Sequence, residues 1–155
     1  MSGTGIPSGA TLDPGGPSSV LTGNNATEFF TTNMAMGDTN SDGFADLVVG
    51  GYGCTWTAGC AFVFYGQVAP LTTGNSATAG TSLLGQTAGE NFGRAVGTAD
   101  VNGDGYLDAV VGANLWTTST GRAFTFHSNS AGPSTSAAQA IAGEASSEFG
   151  IHINR

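Results

Sequence analysis

Lysine is absent from this 155-residue chain, and its three basic residues, Arg94, Arg122 and Arg155, stand against eleven acidic ones for a net charge of −8. Three scattered guanidiniums cannot build the basic patch that phosphate contacts require, which excludes nucleic acid as a partner and disfavours an anionic membrane surface. Long apolar runs are lacking as well: nothing approaches the ~18 consecutive apolar residues of a transmembrane helix. Dense charge is missing too, since 9% of residues are charged and 39% hydrophobic, the reverse of a disordered segment. No GxSxG elbow, SxxK, HExxH or P-loop occurs, so the chain is not expected to be an enzyme.

What the chain has in excess is glycine, 26 residues, without the GxY period of collagen. It also repeats itself. Asp38 to Gly50 reads DTNSDGFADLVVG, and Asp100 to Gly112 reads DVNGDGYLDAVVG. The same offset relates Glu28 to Glu90, Phe30 to Phe92, Gly59 to Gly121, Phe62 to Phe124 and Phe64 to Phe126. No window shows apolar residues at helical spacing. Each unit instead divides into short pieces of strand character: Phe30 to Gly37 or Phe92 to Ala99, Asp46 to Gly50 or Asp108 to Gly112, Ala61 to Tyr65 or Ala123 to His127, and Ser82 to Gly85 or Ala140 to Gly143. Four short antiparallel strands per unit describe an all-β fold of β-propeller blades, about two and a half of them. The expected organisation is a last strand of a preceding blade in 1–22, complete blades in 23–84 and 85–142, and in 143–155 the first strand of an incomplete third.

Each repeat carries an acidic loop, 38–46 and 100–108. Positions 1, 3, 5 and 9 are Asp38, Asn40, Asp42 and Asp46, then Asp100, Asn102, Asp104 and Asp108. Three carboxylates within nine residues repel one another unless a hard cation sits among them. Gly43 and Gly105 permit the sharp bend, and the carbonyls of Phe44 and Tyr106 can add an oxygen. Calcium, one ion per loop, is the expected occupant; zinc would want Cys or His, and magnesium usually sits beside phosphate. An EF-hand would need Glu at position 12, where Val49 and Val111 stand. The competing reading is a pair of metal-free turns, because Asp, Asn and Gly favour turns anyway.

Phe92-Gly93, the two acidic loops, the LVVGG and AVVGA segments after them, and the strands GCAFVF and GRAFTF together resemble the FG-GAP repeats of integrin α-subunit β-propellers and related secreted proteins. The resemblance implies a propeller, usually of seven blades, with calcium loops joining the first two strands of a blade on one rim. The first unit departs from it with Phe29-Phe30 in place of Phe-Gly, and neither unit has the proline of the GAP triplet.

Cys54 and Cys60 flank the turn between the second and third strands of the first unit, and a disulfide there would indicate an oxidising compartment. Trp56 and Trp116 fall in the loops after the second strand, as ligand-binding aromatics on a rim or as packing against the next blade. His127 and His152 have no acid or nucleophile partner at a recognisable spacing. Glu28 and Glu90 recur in both repeats, which favours a structural task over a glycosidase pair. The expected function is a calcium-stabilised extracellular module, non-catalytic, that presents rim loops to a protein or glycan ligand. The alternatives are a self-assembling subunit pairing with copies of itself through exposed edges, and the propeller part of a secreted hydrolase or lyase. Correspondingly, the chain is either a portion of a longer propeller or a protomer.

Overall fold

The computed structural model describes residues 20–24, 27–54, 58–68, 74–144, 146–147 and 149–153. Its elements in chain order are β1 (Leu21–Thr22), β2 (Phe30–Gly37), β3 (Asp46–Gly51), β4 (Cys60–Phe64), β5 (Gly74–Asn75) with a 3-10 turn at Ser76–Thr78, β6 (Thr81–Leu84), β7 (Phe92–Ala99), β8 (Asp108–Ala113), a single helical turn α1 (Trp116–Ser119), β9 (Arg122–Phe126), β10 (Ser128–Asn129), β11 (Gly132–Pro133) and β12 (Gln139–Ala142). The eight long strands form two antiparallel sheets in the orders β2-β3-β4-β6 and β7-β8-β9-β12. These are propeller-type blades: each strand pairs with its sequence neighbour, and the first strand of each sheet carries a bulge at the same place, between Phe30 and Met34 and between Phe92 and Ala95.

The sheets stack face to face, which is why β3, β4 and β8 read as continuous apolar runs with little alternation. Val48, Ala61, Val63 and Leu83 of the first sheet bury themselves against Phe92, Val96, Val111, Phe124 and Phe126 of the second. Phe92 is the centre of this cluster, 1% exposed and edge-on to both Phe124 and Phe126. A second cluster of Val49, Cys54, Cys60, Phe62 and Phe64 fills the other face of the first sheet, with Leu21 and Phe30 packed against it. The stacking is close enough that a Cβ on Gly50 would stand 2.1 Å from the Gly93 carbonyl oxygen.

The second sheet repeats this junction on its far side. Gly121 bridges Phe149 in parallel, as Gly59 bridges Phe92. The Phe149 amide donates to Thr120 as the Phe92 amide donates to Ala58. Gly150 and Gly93 share a left-handed backbone, φ 85° and 86°. A Cβ on Gly112 would meet the Gly150 carbonyl oxygen at 2.0 Å, the counterpart of the Gly50 contact. Yet Ile141, the counterpart of the fully buried Leu83, is 54% exposed.

Three features depart from the sequence expectations. Leu21–Thr22 runs parallel to β5, so the described part of the N-terminal segment pairs with a strand that no repeat pattern marks, while residues 1–19 lie outside the described residues. A β10–β11 hairpin follows β9. The aromatic run of each third strand ends at Phe64 and Phe126, one residue short of Tyr65 and His127, because both chains turn there to hydrogen-bond the acidic loops.

Candidate functional site

Both acidic loops join the first two strands of their sheets, and so lie together at one end of the stacked blades; residues 52–54 and the turn at 85–91 lie at the opposite end. Within each loop the position-1 carboxylate gathers amides. Asp38 accepts from the amides of Asp42 (3.1 Å) and Gly43 (2.8 Å), and Asp100 from those of Gly103 (2.7 Å), Asp104 (3.1 Å) and Gly105 (3.0 Å). The position-5 carboxylate takes the amide of position 7, Phe44 to Asp42 at 2.8 Å and Tyr106 to Asp104 at 2.9 Å. The position-3 amide group donates to the same carboxylate, Asn40 to Asp42 at 3.0 Å and Asn102 to Asp104 at 2.8 Å. Gly43 and Gly105 adopt φ of 90° and 93°, which non-glycine residues rarely reach. The Tyr106 amide, then Asn102 and to a smaller extent His127, hold the Asp104 carboxyl below its ordinary value of 3.8.

Position 9 differs in kind. Asp46 and Asp108 are fully buried. Asp46 accepts from the amides of Thr39 (2.8 Å) and Gly66 (2.9 Å) and from the Thr39 hydroxyl; Asp108 accepts from the amides of Val101 (3.1 Å) and Ser128 (2.8 Å). Each therefore ties the loop to the end of its third strand, a role that sequence spacing did not reveal. Gly66 and Ser128 were missed because these partner amides lie twenty residues from Asp46 and Asp108 in sequence.

The donor chemistry suits a hard cation, since every loop side chain named above offers oxygen, and the amide hydrogen bonds leave further lone pairs on those carboxylates. Among the described residues, however, no three Asp, Glu, His or Cys side chains converge on one point. In this conformation backbone amides offset part of the negative charge.

Elsewhere, Cys54 and Cys60, between β3 and the start of β4, form a disulfide, as the spacing led one to expect. Trp56 lies outside the described residues. Trp116 opens α1, half-buried against the inter-sheet core, with the Arg122 guanidinium carbon 3.4 Å from its ring centroid. Its ring is thus a packing element, not a free platform. Glu28 is buried and accepts from the Asn24 amide (2.7 Å) and the Ser76 hydroxyl (3.0 Å); Glu90 is buried and accepts from the amides of Gln86 (2.6 Å) and Thr87 (3.2 Å). Both close the turn that leads into a first strand.

The FG-GAP repeat family model matches residues 92–126, the span from Phe92 through the second acidic loop to the end of β9. Integrin alpha-7 of Rattus norvegicus is 32% identical over 134 residues, which cover 83% of this chain and 11% of that protein. The chain therefore spans about a tenth of the length of this curated relative.

Proposed function

Starting from the fact that the chain belongs to the integrin-α-like FG-GAP repeat family, we propose that it is a non-catalytic, calcium-stabilised propeller module of an extracellular or cell-surface protein, whose rim loops bind a ligand. The observation that carries the calcium reading is the twin placement of the loops. Asp38, Asn40, Asp42, the Phe44 carbonyl and Asp46 would hold one ion, and Asp100, Asn102, Asp104, the Tyr106 carbonyl and Asp108 the other. A bound divalent cation would neutralise carboxylates that amide donors now share. The disulfide supports an oxidising compartment. Among the described residues no helix is long and apolar enough to cross a membrane.

A site with a dissociation constant of ~10 μM in ~1 mM calcium stabilises the folded state by about 2.7 kcal/mol. Calorimetry in calcium and in EDTA tests this: a lower melting temperature in EDTA is expected, and Asp100→Ala should abolish half of the terbium luminescence that the wild-type chain develops. An identical melt in both buffers would favour the metal-free turns. On the strength of the Phe149–Gly150 junction, we further propose that 143–155 carries the first strand of a third blade, which covers the Ile141 face.

A further inference from the structure

The rim opposite the acidic loops carries an aromatic stack that only the first repeat has. Phe29 lies flat on Tyr52, with ring centroids 4.7 Å apart and planes 2° from parallel. The Arg94 guanidinium carbon, reaching over from the second sheet, stands 5.4 Å from the Tyr52 centroid. Gly53 makes the stack feasible, because a Cβ there would come within 2.4 Å of the Phe29 ring. Phe29 nevertheless remains 51% exposed.

The backbone holding this ring is strained in a way its counterpart is not. Phe29 and Thr31 take φ of 47° and 69°, while the equivalent residues of the second repeat are Asn91 and Gly93, at 55° and 86°. Asparagine and glycine tolerate that region; a bulky aromatic and a β-branched residue do not. Strain of this sort is retained where a side chain has to be presented in a fixed place. Among the described residues, Arg94 makes no ion pair and the Tyr52 hydroxyl makes no hydrogen bond, so polar groups stand unused at the edge of the stack.

We propose that the Phe29–Tyr52–Arg94 stack is a carbohydrate platform, on which the exposed ring of Phe29 takes the C–H face of a neutral sugar. The electron-rich ring face attracts polarised C–H groups. One ring is far short of the ~800 Å² per partner that a protein interface uses. With a net charge of −8 and three arginines in all, the chain repels a polyanionic ligand and leaves a neutral one unopposed. Because the stack is preformed, little side-chain freedom is lost on binding. Tyr52 supports Phe29 from behind, and Tyr52 and Arg94 offer donors to the sugar hydroxyls.

This assignment rests on the ligand-binding reading of the rim and names its ligand class. The test titrates the full chain with cellotetraose, laminaritetraose and mannotetraose, following amide shifts by NMR. Binding of at least one is expected, with shifts confined to residues around Phe29, Tyr52 and Gly53. Phe29→Asn installs the residue of the second repeat; it should weaken binding at least tenfold while leaving the melting temperature unchanged or raised, and Phe29→Tyr should retain binding. Sugar binding indifferent to Phe29→Asn would overturn the platform but leave a ligand-binding rim. Failure of all three sugars to bind would overturn the carbohydrate assignment, while terbium titration judges the calcium reading separately. Binding of an aromatic amide in preference to every sugar would likewise overturn it.

Discussion

The two repeats close the same hairpin by different chemistry. In the first sheet Cys54 and Cys60 are joined covalently; at the equivalent positions of the second, Trp116 and Arg122 meet as an aromatic ring under a guanidinium, and Arg122 also lies 5.6 Å from the Phe124 ring centroid. The turn between second and third strands evidently needs a clasp, because its Gly59 or Gly121 must stay in place to bridge the next unit at Phe92 or Phe149. A covalent clasp acts mainly on the unfolded chain; a cation–π clasp acts in the folded state and depends on the burial around it. The second carries a cost of its own, since among the described residues Arg122 Nε is buried without a hydrogen-bond partner.

The sharpest way to break the symmetry is in the core. Phe92→Ala removes the ring at the centre of the inter-sheet cluster and should cost about 3–5 kcal/mol in urea unfolding, whereas Phe30→Ala, at a half-buried position, should cost clearly less. Reducing the disulfide should lower stability by about 2 kcal/mol, at the low end for so short a loop, and raise hydrogen exchange around β3 and β4 but not around β8 and β9. Arg122→Met keeps most of the apolar stem over Trp116 and should cost only about 1 kcal/mol, part of the lost cation–π attraction being returned by removal of the unpartnered Nε. If Arg122→Met proves as damaging as reduction, the two clasps are not comparable.

Of similar size is the latch between repeats. The Tyr65 hydroxyl donates to the Ala131 carbonyl at 2.9 Å and shares a 2.7 Å hydrogen bond with Thr81, so Tyr65→Phe should cost about 0.5–1.5 kcal/mol by thermal melting. The smallest effect concerns Asp104. Its folded-state pKa is depressed, so its contribution is present above the ordinary value of 3.8 and is lost as pH falls through the lower folded value. The carboxyl is fully exposed, so solvent screening keeps the contribution slight. In calcium-free buffer, Asp104→Asn should flatten the stability-versus-pH curve below pH 3.8, because the slight contribution is then missing at neutral pH as well; an unaltered acid limb would count against the Tyr106 amide as the cause.

Local features were largely legible in advance. Strands β2 and β7 match the sequence reading to the residue, because both repeats run from a phenylalanine into an acidic loop at the same offset. The disulfide was legible from spacing alone. Trp116 was not, since an aromatic in a loop after a strand reads equally as surface or packing until Arg122 is found above it. Nor were the parallel pairing of Leu21–Thr22 with Gly74–Asn75 and the hairpin at Ser128–Pro133, whose polar, glycine-containing stretches carry no periodic signal. For the acidic loops, residue types and spacing were visible, but the burial of Asp46 and Asp108 was not, because their partners Gly66 and Ser128 are supplied by another strand.

The order of residues by itself determined that this chain makes repeated four-stranded sheets with an oxygen-rich turn after each first strand, since period, turn chemistry and repeat offset are all local properties. Tertiary structure alone decided which face of each sheet is covered, which carboxylates sink into the protein, and that Phe29, Tyr52 and Arg94 share one corner of a rim. Those outcomes depend on groups tens of residues apart meeting at van der Waals distance, and pattern along a chain carries no record of such meetings.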